Sequence, residues 1–550
     1  MTDRAEFSAA IESWRAQDPD SQTVAELDAL VSAAESGDAV AQAELADAFA
    51  GPLTFGTAGL RGRLGPGPAR MNRVVVAQAA AGLARYLLDQ GFAGGSVIVG
   101  YDARHNSAIF ARDTAEILAG AGLRPLLCAE HRPTPVVAFG IRHYGCVAAV
   151  VVTASHNPPQ DNGYKVYLGD GSQIVPPADT DIAARIAQVA SGSVRDIERS
   201  TDYTVLGADL TAAYVARAAS IVPADGPTDL TWVYTAMHGV GTAVVEQVVA
   251  ATGFPKPHQV AAQAQPDPDF PTVGFPNPEE PGAIDLALDL AREVGADVAI
   301  ANDPDADRCA VAALIEGHWR MLTGDELGVL LADELLRSGV EGTYACSVVS
   351  STLLGTLAAA HGQPFVTTLT GFKWIGRVPR LVFGYEEAIG YCTDPVAVPD
   401  KDGITTLVRV LALVAKLRRE GRSIADRLDQ IAADFGVHHT TQLAFRVEQL
   451  SVITDAMARL RSAPPQVLGG ETVSAVDLIL GSDALPPTDG MLFSGESVRV
   501  VVRPSGTEPK LKCYLQIRVA PHGDPATQRA QAQVRMAALR AEVAGVLGLN

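Results

Sequence analysis

Ser155 and His156 stand in the stretch Thr153-Ala154-Ser155-His156-Asn157-Pro158, directly after the apolar run CVAAVVV. A buried strand that ends in a polar, proline-ended turn presents that turn at the edge of a sheet, where ligands of α/β proteins commonly bind. Ser155 is then a nucleophile or a substrate-binding group, or else the cap of an ordinary turn. The Ser-His adjacency suggests a serine hydrolase, but no G-x-S-x-G elbow surrounds it. Side chains at successive positions are also expected to diverge, which places His156 poorly as a base for Ser155. Shortly downstream, NGYKVY carries Asn162, Gly163 and Lys165. Lys165 could neutralise a phosphate, move a proton, or be a solvated charge.

A second stretch, the acidic Asp303-Pro304-Asp305-Ala306-Asp307-Arg308, follows the strand-like DVAIAN. Three carboxylates at alternate positions can converge on one cation. At an effective dielectric near 20, each close pair repels by about 4 kcal/mol at ~4 Å, a penalty that a hard divalent metal removes. Oxygen-only ligands favour Mg²⁺, Mn²⁺ or Ca²⁺ over Zn²⁺. An EF-hand loop is excluded, because its glycine position holds Arg308 and its closing glutamate position holds Leu314.

Two further loops have binding chemistry. GYEEAIGY places Glu386 and Glu387 after RLVF, where they could accept hydrogen bonds from sugar hydroxyls. The nearby TGFKWIG sets Gly371 and Lys373 beside Trp374. The loop Arg503-Pro504-Ser505-Gly506-Thr507-Glu508-Pro509-Lys510 joins two strand-like runs and offers cations, hydroxyls and a glycine N–H to a phosphate. It lacks P-loop spacing, so nucleotide hydrolysis is not implied. Together the four loops supply a serine, a metal cage, hydroxyl acceptors and a distal phosphate clamp.

The elements that must position these loops alternate. From residue 74, helix-like and strand-like runs interchange up to CVAAVVVTA, and the alternation restarts after 210 and again near 324. Such alternation predicts α/β sheets with helices on their faces. The last hundred or so residues change to TTQLAFRV, ESVRVVVRPSG and LKCYLQIRV, which read as antiparallel strands, followed by a helix. The expected division is a helical extension over 1–50, α/β domains over 51–212, 213–321 and 322–440, and an α+β domain over 441–550. The proline-rich QPDPDFPTVGFPNPEEP (265–281) cannot be regular helix and reads as an extended surface segment.

Composition restricts the partners. With 63 acidic against 43 basic residues and a net charge of −20, the chain lacks the basic footprint of a nucleic-acid or anionic-membrane surface. The six cysteines are scattered without a C-x-x-C pair and predict buried thiols in a reducing, cytoplasmic setting. The polar, acidic N-terminus is unlike a signal peptide, and no apolar run is long enough to span a bilayer.

The four loops, in this order, resemble those of the α-D-phosphohexomutase superfamily, the phosphoglucomutases and phosphomannomutases. The resemblance covers roughly 50–550, and GTAGLRG (56–62) resembles the segment that supplies an active-site arginine, here Arg61. It implies three α/β domains and a C-terminal α+β domain around a central cleft. The implied catalytic set is Ser155, as phosphoryl carrier, with Lys165, His156 and Arg61. Ser155, Asp303, Asp305 and Asp307 would hold one Mg²⁺. Arg503, Ser505, Gly506 and Thr507 would hold the non-reacting phosphate. Arg308, Gly371, Lys373, Glu386, Ala388 and Lys512 complete the implied substrate-binding set. A sugar bisphosphate such as glucose 1,6-bisphosphate would act as activator. The expected activity moves phosphate between the 1- and 6-positions of a hexose, in a monomer or small homo-oligomer. Ala388 replaces the serine commonest at that place. The EEAIGY form resembles the branch with phosphopentomutases and a glucose-1,6-bisphosphate synthase, which are the alternative activities.

Overall fold

The computed structural model of the chain describes residues 4–56, 59–222, 229–447, 449–482, 485–505 and 510–549. Two compact units result: Met1–Ala310 with Asp394–Arg409, and Val311–Thr393 with Val410–Asn550.

The first unit is built around a six-stranded sheet in the order Leu60–Arg63, Asp161–Leu168, Ala148–Val152, Ser96–Tyr101, Arg124–Cys128, Thr204–Leu206. The last four are parallel, and each of the first two pairs antiparallel with the strand that follows it in this order. Parallel neighbours need crossovers, and the helices Ser107–Gly120 and Thr134–Tyr144 supply them. All five residues of Ala148–Val152 are buried, as expected of a strand covered on both faces. The chain then reverses through residues 153–160 into the antiparallel strand, with Val151 opposite Lys165 and Gly163 opposite Arg61. Gly163 is required by close approach, since a Cβ there would lie 2.5 Å from Thr153 O and 2.9 Å from Leu60 O. This register puts Lys165 beside the serine turn.

Residues 4–48 fold into the helices Arg4–Gln17, Ser21–Glu35 and Ala39–Ala48. Ile11, Trp14, Leu27 and Leu45 join the same buried cluster as Val97, Phe110 and Val150, so these helices dock on the sheet domain. A second parallel set, Trp232–Thr235 between Val298–Asn302 and His258–Gln259, ends in the acidic loop. The proline-rich stretch corrects its expectation. It is indeed without helix or strand, but Phe270 and Val273 are buried rather than on the surface.

In the second unit, Phe365–Thr368, Thr343–Ser347 and Leu381–Glu386 are parallel, and Gly390–Cys392 returns antiparallel. The C-terminal sheet is wholly antiparallel, in the order Val437–Arg446, Lys510–Val519, Val498–Pro504, Met491–Ser494, Ser474–Asp477. The helix Pro525–Leu547 covers it through Ala532, Met536, Leu539 and Val543. All six cysteines are buried free thiols, and among the described residues no helix is long and apolar enough to cross a membrane. The α/β fold class expected from the alternation is what the chain adopts.

Candidate active site

In the first unit the serine turn and the acidic loop meet. Ser155 Oγ donates to Asp303 Oδ2 at 2.8 Å. Asp303, Asp305 and Asp307 are at most 1% exposed, and their ligand atoms all lie within 4.8 Å of one another. Lys165 Nζ donates to Asp305 Oδ2 at 2.6 Å and to Asp307 Oδ2 at 2.8 Å. Thr134 Oγ1, at the start of its helix, also donates to Asp305 Oδ2, at 2.6 Å. Asp305 Oδ1 and Asp307 Oδ1 are buried and accept no hydrogen bond. Two orphaned carboxylate oxygens in an all-oxygen cage fit a hard divalent cation.

The electrostatics follow from this crowding. Burial pushes the Asp305 carboxyl up to about 6, and its neighbours Asp307 and Asp303 add to the rise. Burial acts on Asp307 in the same sense, but Lys165, Lys401 and Arg308 overcome it and hold that carboxyl far below the usual range. Burial works to discharge the Lys165 ammonium, yet Asp305 and Asp307 keep its pKa above the ordinary value. Lys165 is therefore a charged donor in this state, and cannot accept a proton until it has released one.

Ser155 Oγ and His156 Nδ1 lie 3.3 Å apart, which corrects the expectation that these side chains diverge. The cause is the backbone: Ser155 has φ 52°, in the left-handed region. A non-glycine residue there costs roughly 1–3 kcal/mol, so the surroundings must hold it. Arg104 does so, donating to the carbonyls of Ser155 (2.7 Å), Asn157, Pro158 (2.8 Å) and Asp161 (3.2 Å). Burial, and then Arg308 and Arg61, push the His156 imidazole well below its usual range, so it is neutral. The exposed Arg61 donates to Asn157 Oδ1 at 3.1 Å. The Arg308 backbone N–H donates to Asp303 Oδ1 at 3.0 Å, and its guanidinium lies 3.9 Å from Asp307.

Three residues of this cluster escaped the sequence reading. Lys401 Nζ lies 3.4 Å from Asp307 Oδ2, brought there by the segment 394–409. Nothing in PDKDG marks it. Thr134 carries no signal either. Arg104 follows the strand Ser96–Tyr101, a parallel neighbour of Ala148–Val152, so the shared strand ends could have drawn notice to it.

In the second unit Glu386 Oε1 accepts from the Gly371 N–H at 2.5 Å. Gly371 has φ 105°, a conformation that leaves little room for another residue. Arg503 Nη1 donates to Thr370 Oγ1 at 2.7 Å, and Arg499 donates to the carbonyls of Val348 and Ser350. Arg503 and Lys512 are cross-strand partners, so two cations stand on one face of the sheet. Lys373 Nζ sits 5.7 Å from the centroid of the Trp374 ring. The Ser505 N–H donates to Lys510 O at 2.8 Å, closing the loop whose Gly506 and Thr507 lie outside the described residues. Ala388 is half-buried in the turn between two strands.

Glu387 accepts from Ser347 Oγ (3.0 Å) and Ser350 Oγ (3.2 Å), and burial beside Glu386 pushes its carboxyl up to about 7. An acid raised on folding binds more protons folded than unfolded, so stability falls as pH climbs from the unfolded value near 4.5 to about 7. Glu387→Gln should remove that slope. Thermal melts at pH 5 and pH 8 should show the variant gaining on the parent at the higher pH, and a constant difference would refute the assignment.

The chain matches phosphoglucomutase/phosphomannomutase alpha/beta/alpha domain I over 52–192, domain II over 212–314, domain III over 323–435 and the C-terminal domain over 445–536. It is 48% identical over 82% of its length to a "probable phosphomannomutase" of Haemophilus influenzae, spanning 93% of that protein. It is 34% identical to the phosphopentomutase of Homo sapiens, with 88% of each chain covered. The crystal structure of the phosphoglucomutase parafusin from Paramecium shares its fold, with a TM-score of 0.68 at 20% identity over 90% of this chain and 96% of that one.

Proposed function

The chain belongs to the phosphoglucomutase/phosphomannomutase family and is an enzyme that moves phosphate within a sugar, and from that premise we propose that Ser155 is its phosphoryl carrier and a hexose 1-phosphate its substrate. The observation that carries this reading is the buried contact of Ser155 Oγ with Asp303, 2.8 Å long, at the edge of the three-carboxylate cage.

In the proposed cycle phospho-Ser155 gives its PO₃ group to a free hydroxyl of the sugar monophosphate. The Oγ–P bond breaks, the sugar O–P bond forms, and the hydroxyl proton passes to a base. The resulting bisphosphate turns over, and its other phosphoryl group returns to Ser155. Asp303, Asp305, Asp307 and Ser155 would hold Mg²⁺, which supplies charge neutralisation for the group in flight. Lys165 and Lys401, both next to Asp307, are the proton carriers of the proposal. Lys165 is held charged by Asp305 and Asp307, so it must give up a proton before it can take one. Neutral His156 orients the Ser155 oxygen. Glu386, Gly371, Lys373 and Ala388 are proposed to face the sugar, and Arg503, Ser505, Gly506, Thr507 and Lys512 the distal phosphate. The reading includes priming by a sugar bisphosphate and a monomer or small homo-oligomer. It also includes a cytoplasmic location, with which six buried free thiols agree.

A pentose phosphate is the second reading. A probable phosphoribomutase of Schizosaccharomyces pombe is 35% identical over 92% of this chain, and Ala388 offers no hydroxyl to a hexose. Coupled assays of glucose, mannose and ribose 1-phosphates, with Mg²⁺ and a trace of glucose 1,6-bisphosphate, decide between the two. The proposal expects kcat/KM for a hexose at least about tenfold above ribose, a gap of about 1.4 kcal/mol in transition-state binding. The reverse order assigns a phosphopentomutase. Interconversion of none of the three sinks both readings.

A further inference from the structure

The proline-rich stretch 265–281 has no part in the cycle above, yet it lies against the serine turn and against residues that surround it. Phe270 stacks on the Arg104 guanidinium, with the charge centre 4.8 Å from the ring centroid. Phe275 lies 6.1 Å from the His156 ring. Asp269 Oδ1 pairs with His105 Nε2 at 2.8 Å, and Glu279 lies 3.9 Å from Arg308. The stretch is itself anchored behind: Thr272 Oγ1 bonds His238 Nε2 at 2.8 Å and Gln263 Nε2 at 2.9 Å. Phe270 adopts φ 46°, and its carbonyl accepts from the Val273 N–H at 3.0 Å. An aromatic residue rarely takes that conformation, and here it aims the ring at Arg104.

We infer that this strap sets the geometry of the reactive serine, with Phe270 a positioning residue that acts through Arg104 on the carbonyls of Ser155, Asn157, Pro158 and Asp161. A guanidinium between an aromatic face and four carbonyl oxygens can be fixed in one plane, since the ring face attracts the cation while its edges donate. Losing the ring leaves the guanidinium to its hydrogen bonds and to Asp102, 3.4 Å from its Nε, with one face no longer packed, so that it can tilt. The positive-φ turn at Ser155 then loses its brace, and the oxygen leaves its place beside Asp303. Binding of the sugar, which other residues carry out, is untouched.

The inference rests on Ser155 being the phosphoryl carrier, and the test separates the two. The full-length protein is incubated with Mg²⁺ and glucose 1,6-bisphosphate, and phosphorylation of Ser155 is followed by mass spectrometry. If the parent protein never gains phosphate on Ser155, the carrier assignment fails. If it does, Phe270→Leu should load at least tenfold more slowly, with kcat reduced similarly and KM within about threefold. Phe270→Tyr, which keeps the aromatic face, should load within about twofold of the parent. A Phe270→Leu protein that loads at the parental rate overturns the inference, as does a Phe270→Tyr protein impaired equally. Should Phe270→Leu not fold, Thr272→Val takes its place, because Thr272 is exposed and its change only loosens the anchor. That variant should slow loading at least threefold, and an unchanged rate is again a refutation.

Discussion

Ser155→Ala should lower mutase turnover by about 10⁴-fold or more, the scale seen when a covalent nucleophile is removed and only binding is left. Sugar phosphate should still bind, with Kd changed no more than about threefold, because no residue proposed to hold sugar or distal phosphate is altered. The incorporated phosphate, followed by mass after incubation with a sugar bisphosphate, should vanish. Stability gives a second signature. Alanine inherits the left-handed backbone of Ser155, φ 52°, and also leaves Asp303 Oδ2 without its hydroxyl donor. Glycine loses the same hydroxyl but accepts the backbone freely. Ser155→Gly should therefore melt above Ser155→Ala, by an amount reflecting roughly 1 kcal/mol. Turnover near the parental rate in Ser155→Ala would remove the serine from the chemistry. A glycine variant that melts below the alanine variant would remove the strain argument.

What could be read from the chain and what could not differ in a physical way. The serine turn, the acidic loop and the stretch 503–510 each gather several polar groups in a few consecutive residues, after a strand whose apolar run is plain. Chemistry that is contiguous in sequence can be recognised there. The three aspartates at alternate positions predicted a cage, and their ligand atoms do converge. Lys401 and Thr134 reach the same cage as single residues from distant segments, and a single lysine or threonine has no pattern to betray it. The closeness of Ser155 to His156 depends on a positive φ at a residue other than glycine, so residue type concealed it. The proline-rich stretch was legible as irregular, because proline restricts its own backbone. Its burial was not, because Phe270 meets Arg104 only through the tertiary fold. The docking of the first three helices depends likewise on Trp14 and Leu27 finding the sheet domain's core, a long-range event that their helical spacing alone does not reveal.

Asp305→Asn should abolish the response to divalent metal while leaving the metal-free protein as stable as the parent or more so at pH 8. In the metal-free state the Asp305 carboxyl is raised to about 6 by burial and by Asp307 and Asp303. Its ionisation works against the fold increasingly from the unfolded carboxylate range, near pH 4, up to about pH 6, and fully above that. A neutral amide escapes this cost, and its oxygen can still accept from Lys165 or Thr134. With Mg²⁺ the balance reverses. A cation that binds only the folded parent adds about 2.7 kcal/mol at a hundredfold excess over its Kd, and the orphaned Asp305 Oδ1 is one of the oxygens available to it. The amide removes a full negative charge from that set, so Mg²⁺ should raise the melting temperature of the parent and not of the variant. Turnover should fall at least ~10³-fold at equal Mg²⁺, since the cation that Asp305 would help to hold is what neutralises the group in flight in the proposed transfer. Melts of both proteins at pH 8, with EDTA and with millimolar Mg²⁺, separate the alternatives. Equal Mg²⁺ stabilisation of parent and variant would take Asp305 out of the cation site. A variant that is less stable than the parent in EDTA would mean that its ion pair with Lys165 outweighs burial, contrary to the raised carboxyl.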